Sequence, residues 1–344
     1  MKPLKSKNLD KYLFNTISYF SFFGYPPSFD EIHTFFPVRI AKKQLKNLLE
    51  DLVRKKSLIC HCEDPEYRSK RTKQSQKRSP RSSSDSEDSL AMTLDYHKGP
   101  KSLLSNFKFQ LSTSPSYTLP QYATHFKNRA TRQAICKKRL VLVNYYTETL
   151  AKLPFIRFVG ITGSAAMGNT KRGDDVDVFI ITSKGCLFIG RFFAILFSYI
   201  FNVRKGRNSV CLNLFFDERN LVIPKHKQTP YVAHEALQMK PVVSKNNMYE
   251  RFLEENKWVK KFYPNVKLSI RSHSRPVSGY GVNSGGFTPV RVNPGYNFLS
   301  SPFELVLKTL QLAIIRRNKT GLIISPTQLW LFKRDFEKKI EKIL

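Results

Sequence analysis

The chain is poor in acidic residues, and this imbalance is the first clue to its partners. Only 26 of its 344 residues are Asp or Glu, against 58 Lys and Arg, which gives a formal net charge of +32. Such an excess favours polyanionic partners: nucleic acid (RNA or DNA), nucleotides or an anionic membrane face. A lysine-rich composition is also common without any specific partner, so charge alone does not decide the function.

Cysteines are also few, and their pattern excludes the common cysteine-based architectures. The five cysteines are odd in number and irregularly spaced, and Cys60-His61-Cys62 is too cramped to chelate one zinc ion well. We therefore expect reduced thiols in a cytoplasmic protein. The basic start, MKPLKSKNLDKY, is not followed by the apolar segment and cleavage site of a signal peptide.

Long uncharged apolar runs are lacking as well. The longest candidate, CLFIGRFFAILFSYIFNV at residues 186–203, is interrupted by Arg191 and diluted by polar residues. Its 18 residues stand near the lower limit for a membrane span. We expect a buried helix that covers a sheet, with a membrane anchor as the weaker interpretation.

Residues 1–62 predict a winged-helix-like domain. Apolar residues recur at helical spacing, and Ser28-Phe29-Asp30-Glu31 has the form of a capping box. The sequence predicts three helices, a wing strand and a distant return strand, at residues 9–20, 28–35, 43–55, 57–60 and 116–120. Between the two strands, residues 63–115 form a basic and Ser-rich insertion that we expect to be disordered. Its basic half either contacts nucleic acid or is a solvated linker.

The remainder predicts an α+β fold with a mixed sheet. Residues 125–265 form the predicted core, which begins with a long basic helix at 125–153. Residues 266–300 hold many glycines and predict an irregular loop. Residues 301–344 predict C-terminal helices, at 303–319 and 327–344.

One segment, GITGSAAMGNTKRGDDVDVFIIT at 160–182, carries the chemistry. An apolar strand ends in Gly163-Ser164, a turn whose backbone N–H groups and hydroxyl suit a phosphate. A second strand begins at Asp175-Val176-Asp177. Because side chains alternate along a strand, both carboxylates project to one face, where they repel unless a cation lies between them. Oxygen ligands of this kind predict Mg²⁺ or Mn²⁺.

Gly163-Ser164, ten further residues and then the Asp-x-Asp pair resemble the signature of the DNA polymerase β-like nucleotidyltransferase superfamily. The closer likeness is to prokaryotic single-chain members with an N-terminal winged-helix-like segment, which share the pattern GS-x-A-x-x-N. The resemblance covers about 9–60 and 116–265, with a looser match in the C-terminal helices. It implies a nucleotidyltransferase core that moves a nucleoside monophosphate from an NTP to an acceptor hydroxyl and releases pyrophosphate.

The resemblance also implies residue roles. Asp175 and Asp177 would be catalytic metal ligands, and Gly163 with Ser164 would hold the β- and γ-phosphates. The intervening turn supplies the remaining nucleotide-binding candidates, which either meet the triphosphate or are solvent-exposed: Asn169, Lys171 and Arg172. Asp174 is expected to be a solvated loop acid, since it points away from Asp175.

The third carboxylate of the superfamily is the weak point of this pattern. On the predicted strand 209–218 the mid-strand polar position is Asn213, which cannot serve as a base, and Asp217 lies about 13 Å further along. Three outcomes stay open: Asp217 bends in, Glu235 substitutes, or a second metal is bound poorly. His234-Glu235 is expected to be an ordinary pair on a helix surface.

Two functions therefore compete at this point. The first is a Mg²⁺-dependent nucleotidyltransferase with an unknown acceptor. The second is a catalytically weak or inactive nucleotide sensor with a nucleic-acid-binding winged helix, in which Arg39, Lys42, Lys43 and Lys46 offer a basic stripe.

Overall fold

The structure, a computed structural model, has a mixed α+β architecture with a six-stranded mixed sheet. It describes residues 6–61, 115–203, 210–268, 302–317, 322–332 and 337–340. The predicted insertion at 63–115 lies outside the described residues except for its last position. The predicted irregular loop at 266–300 lies outside them except for its first three positions.

The N-terminal unit consists of three helices and a two-stranded sheet. The helices are α1 (Ser6–Phe22), α2 (Phe29–Thr34) and α3 (Lys42–Arg54). Strands β1 (Ile59–His61) and β2 (Ser116–Thr118) pair antiparallel, with Cys60 opposite Tyr117. These are the segments in which the sequence analysis places the two wing strands. Their apolar side chains form a separate small core around Leu13, Ile17 and Leu49.

The capping box that the sequence predicts before α2 is present. The Ser28 hydroxyl accepts the N–H of Glu31 at 3.3 Å, and the Glu31 carboxylate accepts the N–H of Ser28 at 2.7 Å. Each group satisfies a backbone donor that the first helical turn leaves free, which stabilises this short helix by about 1 kcal/mol. The prediction of a helix start at this position is confirmed.

The central sheet follows in chain order after a long helix. A helix α4 (Thr124–Lys152) leads into β3 (Ile156–Thr162), a single turn α5 (Gly163–Ala166) and β4 (Val176–Thr182). The later elements are, in order, α6 (Leu187–Ile200), β5 (Val210–Asp217), α7 (Pro230–Gln238), β6 (Lys240–Ser244), α8 (Met248–Glu255), α9 (Pro302–Arg317), β7 (Leu322–Ile324), β8 (Gln328–Leu331) and α10 (Glu337–Ile340). The spatial order is β6-β3-β4-β5-β8-β7, in which only the β4–β5 pair is parallel.

Helices cover both faces of this sheet. Val176, Val178 and Ile180 of β4 face a core built with α4, α6 and α9. Phe179 and Ile181 of the same strand face a second core built with α7, α8 and the end of α1. The alternation along β4 therefore assigns Asp177 to the face that α7 and α8 cover.

Two sequence predictions are wrong about secondary structure in the C-terminal half. The predicted helix at 327–344 is replaced over 328–331 by β8, which pairs with β5 and β7. Leu329 and Trp330 are both buried because β8 is covered on both faces, and β-prone residues gain more from that pairing than from a surface helix. The sequence also predicts a helix over 233–241, but α7 ends at Gln238, and Pro241 lies in the edge strand β6, where a missing N–H is tolerated.

The longest apolar run forms helix α6, which covers the sheet as the sequence predicts. Leu187, Phe188 and Ala194 are buried against the sheet, while the side chains of Tyr199 and Ile200 at its end are more than half exposed. No helix in the described ranges has both the length and the apolar composition that crossing a membrane requires.

Candidate functional site

The candidate site lies where β3 ends and where β4 and β5 begin. Thr162, the last residue of β3, pairs with Asp177, and Asp177 in turn pairs with Cys211 of β5. Strand β4 runs antiparallel to β3 and parallel to β5. The turn that follows β3 therefore lies at the same end of the sheet as the acidic pair that begins β4. The sheet therefore brings Gly163-Ser164 and Asp175/Asp177 together, as the sequence predicts.

Gly163 is required at the turn after β3 for two reasons. Its φ is +63°, a left-handed conformation that other residues adopt only with strain. A Cβ atom at this position would stand 2.5 Å from Oδ2 of Asp177. The carboxylate of Asp177 therefore lies directly against the glycine backbone, and any side chain at 163 would push it away.

A third carboxylate, that of Glu235 on α7, reaches the same turn. Its Oε2 accepts the N–H of Gly163 at 3.0 Å, and its Oε1 accepts a hydrogen bond from the Gln238 amide at 2.6 Å. The expectation of a surface pair at His234-Glu235 is wrong, because His234 is 1% exposed and Glu235 is half-buried. The position of Glu235 fits the possibility that it substitutes for the third carboxylate of the superfamily pattern.

The surroundings of Asp177 disfavour its charged form. Burial, followed by repulsion from Glu235 and Asp175, raises the pKa of Asp177 to about 7. Burial also raises the pKa of Glu235, against the opposing effect of the Gly163 N–H and the Gln238 amide. Acids crowded and desolvated in this way are typical of functional sites.

Asn213 supports Asp177 from the neighbouring strand. It lies at an irregularity in the β4–β5 pairing, between Leu212 opposite Val178 and Leu214 opposite Phe179. Its Nδ2 donates to Oδ1 of Asp177 at 3.1 Å, and its own Oδ1 accepts from the Cys211 thiol at 3.0 Å. The amide thus orients the Asp177 carboxylate.

Asp217 does not belong to this site. It pairs with Thr182 at the opposite end of β4, five positions from Asp177 and so roughly 16 Å away along the strand. Its side chain is fully buried and accepts hydrogen bonds from the Gly185 N–H and from the backbone and guanidinium of Arg219. The expectation that Asp217 bends towards the pair is wrong, since these contacts hold it at the other end of the strand.

The polar residues of the intervening turn divide into two groups. Asn169, a predicted nucleotide ligand, is 4% exposed and joins the core to the N-terminal unit: its Nδ2 donates to the Phe23 carbonyl at 2.8 Å, and its Oδ1 accepts from Arg132 at 2.9 Å. It is therefore occupied by a structural contact. Lys171 and Arg172 are exposed, and the Asp174 carboxylate closes their turn by accepting the Lys171 N–H at 2.9 Å.

The three acids differ in exposure. Asp175 precedes β4 and is open to solvent, while Asp177 and Glu235 are half-buried. In the described part of the chain, no group of three or more His, Cys, Asp and Glu side chains is arranged so that it could hold a metal ion. A site with one or two carboxylates is enough for Mg²⁺, which keeps waters and substrate phosphates as its other ligands.

No protein-family model, curated protein or solved structure matches the chain. The assignment of a function therefore depends on the residues of the site and on their chemistry.

Proposed function

We propose that the protein is a Mg²⁺- or Mn²⁺-dependent nucleotidyltransferase that moves a nucleoside monophosphate from an NTP to an acceptor hydroxyl. The observation that carries the proposal is the convergence of two carboxylates, Asp177 and Glu235, on the glycine turn that follows β3, with Asp175 near enough to repel Asp177. Clustered acids at the head of a strand are costly to fold unless a cation reduces their repulsion. The spacing between Gly163-Ser164 and Asp-x-Asp adds the resemblance to the polymerase β-like superfamily.

The donor set fits a hard divalent cation. Asp177 offers carboxylate oxygens and Asp175 is near enough to repel them, and the Asp177 pKa of about 7 means that a bound cation and the loss of this proton are coupled. When bound, a divalent metal would neutralise triphosphate charge and polarise the α-phosphate.

The chain's own residues have separate tasks in this proposal. Asn213 orients Asp177, and Ser164, half-buried beside the turn, offers a hydroxyl to a phosphate oxygen. Exposed Lys171 and Arg172 supply positive charge to the triphosphate. The Gly163 N–H is already bonded to Glu235, so a phosphate would have to compete with that carboxylate for it.

Glu235 is the proposed general base. The superfamily pattern would have a carboxylate on the strand β5 for this role, and this chain has Asn213 there. The pKa of Glu235 is raised by burial, which is the direction a base needs to work near neutral pH. Its contact with Gly163 N–H places it beside the phosphate turn, where it can accept the proton of an acceptor hydroxyl.

A second candidate function is nucleotide sensing by a nucleic-acid-binding protein. The three N-terminal helices and the antiparallel β1–β2 pair support it, as does the charge of +32. The basic stripe is weaker than its sequence indicates, because Lys42 forms an ion pair with Asp30 at 2.7 Å and Lys46 lies 3.9 Å from Glu50. Both cations lose part of their attraction for phosphate in these pairs.

The experiment that tests the proposal compares matched acid-to-amide variants. Purified protein is incubated with labelled NTPs, Mg²⁺ or Mn²⁺, and RNA, protein and small-molecule fractions of a cell extract. We expect label transfer by the wild type and by Asp174→Asn, which changes an acid of the same loop, and none by the Asp175→Asn/Asp177→Asn double variant.

Three other outcomes decide between the functions. Metal-dependent NTP binding without transfer by any form would favour the sensor. Transfer that survives in the double variant would show that the acids are not the metal ligands. Absence of both metal and NTP binding in the wild type would reject the site.

A further inference from the structure

Helices α6 and α9 lie on the face of the sheet opposite to α7 and α8, and both contribute to the core that α4 also covers. Hydrogen bonds fix α9 against α6. The Glu304 carboxylate accepts the backbone N–H groups of Phe188 and Ile189, each at 2.8 Å, and the Gln311 amide donates to the Phe188 carbonyl at 2.8 Å. The inner sides of the two helices are therefore occupied, and the question is what their outer sides contact.

Helix α9 exposes a stripe of apolar side chains. Five of them are between 50% and 64% exposed: Phe303, Leu305, Val306, Leu310 and Ile314. Those at 303, 306, 310 and 314 recur every three or four residues and so follow one side of the helix. A surface helix ordinarily buries its apolar stripe and turns polar residues to solvent. On α9 a different set is buried, Leu307, Gln311 and Ile315, so the exposed stripe is additional to the one that packs.

The end of α6 has the same property. Leu196, Ile200 and Phe201 are between 37% and 64% exposed, and no charged residue occurs from Phe192 to Phe201. Most of the large apolar side chains that are exposed in the described ranges therefore belong to α6, the residue that follows it and α9. Exposed apolar surface concentrated in this way is typical of a contact with another protein or with a membrane.

The charges of these two helices help to choose between such partners. Glu304 is the only acid in α6 and α9, and its carboxylate is bonded to the α6 backbone. On α9 the half-buried Lys308 and the exposed Arg316 and Arg317 supply positive charge. The outer side of α9 therefore combines apolar side chains with cations alone.

An anionic lipid membrane matches both of these properties. Its interface accepts apolar side chains, and its headgroups attract neighbouring Lys and Arg. Nucleic acid would match the cations but leave the apolar stripe in water. A second copy of the chain would cover the stripe but bring like charges together, since each copy carries a net charge of +32.

We propose that α9 and the end of α6 dock the protein on an anionic membrane surface, with the apolar stripe of α9 inserted among the lipid headgroups. Such a helix lies in the plane of the interface and does not cross the membrane. Arg316 and Arg317 follow the stripe and can extend to the lipid phosphates. The proposal is independent of nucleotidyl transfer, because Asp177 projects from the opposite face of the sheet.

Co-sedimentation of the full-length protein with lipid vesicles tests the proposal. The vesicles contain phosphatidylcholine alone or equal amounts of phosphatidylcholine and phosphatidylserine. We expect the wild type to bind the mixed vesicles at least about tenfold more tightly, because the cations of α9 lie beside the inserted stripe. Failure to bind the mixed vesicles would reject the proposal.

An apolar-to-amide variant assigns the binding to the stripe. Leu310→Gln/Ile314→Gln removes apolar contact without a change of charge, so it should weaken binding to the mixed vesicles by about tenfold or more. Phe22→Gln/Val222→Gln makes the same kind of change at exposed apolar residues outside α6 and α9, and it should leave binding unchanged. Equal binding by the two double variants would contradict the proposal.

A charge variant separates docking from unspecific adhesion of a basic protein. Arg316→Gln/Arg317→Gln should weaken binding to the mixed vesicles about tenfold. Lys260→Gln/Lys261→Gln removes two exposed cations next to Val259, which belongs to the core on the opposite face of the sheet, and should have little effect. Equal losses in these two variants would show adhesion without a defined docking surface.

Fluorescence quenching measures insertion directly. Ile314→Trp places an indole in the stripe, and lipids with brominated acyl chains quench an indole that reaches the hydrocarbon. We expect quenching of Ile314→Trp on the mixed vesicles, beyond that of Val222→Trp, which carries its indole outside α6 and α9. Equal quenching of the two vesicle-bound variants would overturn the proposal.

Light scattering and thermal unfolding identify the other possible occupants. A wild-type dimer that becomes monomeric in Leu310→Gln/Ile314→Gln, and that does not bind vesicles, would assign the stripe to a second copy. A lower melting temperature of this variant, with no vesicle binding by the wild type, would assign the stripe to another segment of the chain. Either result would replace the membrane as the partner.

Discussion

A carboxylate lies at each end of the β4–β5 pair, and the two carboxylates have opposite electrostatic surroundings. Asp217 is fully buried, yet it has a guanidinium partner in Arg219 at 2.7 Å and accepts backbone N–H groups from Gly185 and Arg219. Asp177 is less buried but has an amide partner in Asn213 and two acids as neighbours, which raise its pKa to about 7. The first carboxylate has a positively charged partner, whereas the second has an amide and two acids as its neighbours.

Under the proposed function, this difference separates the structural acid Asp217 from the metal-binding acid Asp177. A buried charge with its partners in place needs no further ligand, and the removal of one partner is strongly destabilising. Acids that share a turn without a cation are kept at a cost in stability, and such a cost is typical of a binding or catalytic site. Substitutions at the two ends should therefore change the free energy of unfolding with opposite signs.

The largest expected effect is at the Asp217 end. Asp217→Ala removes the partner of Arg219 and of two backbone N–H groups, so we expect it to lower the free energy of unfolding by about 3–5 kcal/mol. Urea denaturation at pH 7 measures the change. Asp174→Ala is the matched control, since Asp174 closes an exposed turn, and it should cost less than about 1 kcal/mol. Similar losses in the two variants would remove the contrast between the ends.

Asp177→Asn is expected to raise the free energy of unfolding above neutral pH. The raised pKa means that the folded state holds this proton more tightly than the unfolded state, in which the carboxyl ionises near pH 4. Below about pH 4 both states are protonated and Asp177 costs nothing. As the pH rises through 7 the stabilisation by the proton is lost, so the wild type becomes less stable.

Asp177→Asn should therefore stabilise the protein at pH 8 by about 1–3 kcal/mol and have little effect at pH 4. Glu235 and Asp175 face the same carboxyl, and Glu235→Gln gives an independent check because it removes one of these repelling charges. Thermal unfolding at both pH values measures the difference. A loss of stability in Asp177→Asn at pH 8 would mean that the charged form of Asp177 is already satisfied.

The sequence predicted the helices and strands that carry the two carboxylates better than it predicted the contacts between them. Helices α1 to α4 and strands β3 to β5 follow from apolar periodicity and from the capping box, because those signals are local. The face of Asp177 followed from alternation along a strand. Local patterns were enough to place Gly163 beside the acidic pair, since β3 and β4 follow each other in the chain and pair antiparallel.

What the sequence could not predict depends on distant contacts. Glu235 reaches Gly163 across 72 positions because α7 packs over the sheet, and Asn169 is taken by the Phe23 carbonyl, 146 positions away. One local signal existed for Glu235: it stands between Val232, Ala233 and Ala236, which are buried. An acid in such an apolar helix segment indicates an inward carboxylate. Strand β8 was missed because its pairing partners, β5 and β7, decide its conformation.

Gly163→Ala tests the contact that joins the glycine turn to the acid. The new Cβ would lie 2.5 Å from Asp177 Oδ2 in a backbone of φ +63°, so we expect a loss of about 2 kcal/mol in the free energy of unfolding. Gly173→Ala, in the same loop, is the matched control, because its Cβ would meet nothing within 4 Å. Differential scanning fluorimetry of the two variants measures the difference. Equal melting temperatures would mean that the turn can move away from Asp177.

The smallest effect, and the one that completes the comparison, is stabilisation by the cation itself. At ten times its dissociation constant, Mg²⁺ should stabilise the wild type by about 1.4 kcal/mol at pH 8, through mass action on the folded state alone. Near pH 5.5, Asp177 is protonated and the stabilisation should be much smaller, because the metal must displace that proton. Asp177→Asn should show no Mg²⁺ effect at either pH, whereas Asp217→Asn, if folded, should keep it. A Mg²⁺ effect equal at both pH values, or retained in Asp177→Asn, would place the cation elsewhere and leave the crowded acids without a ligand.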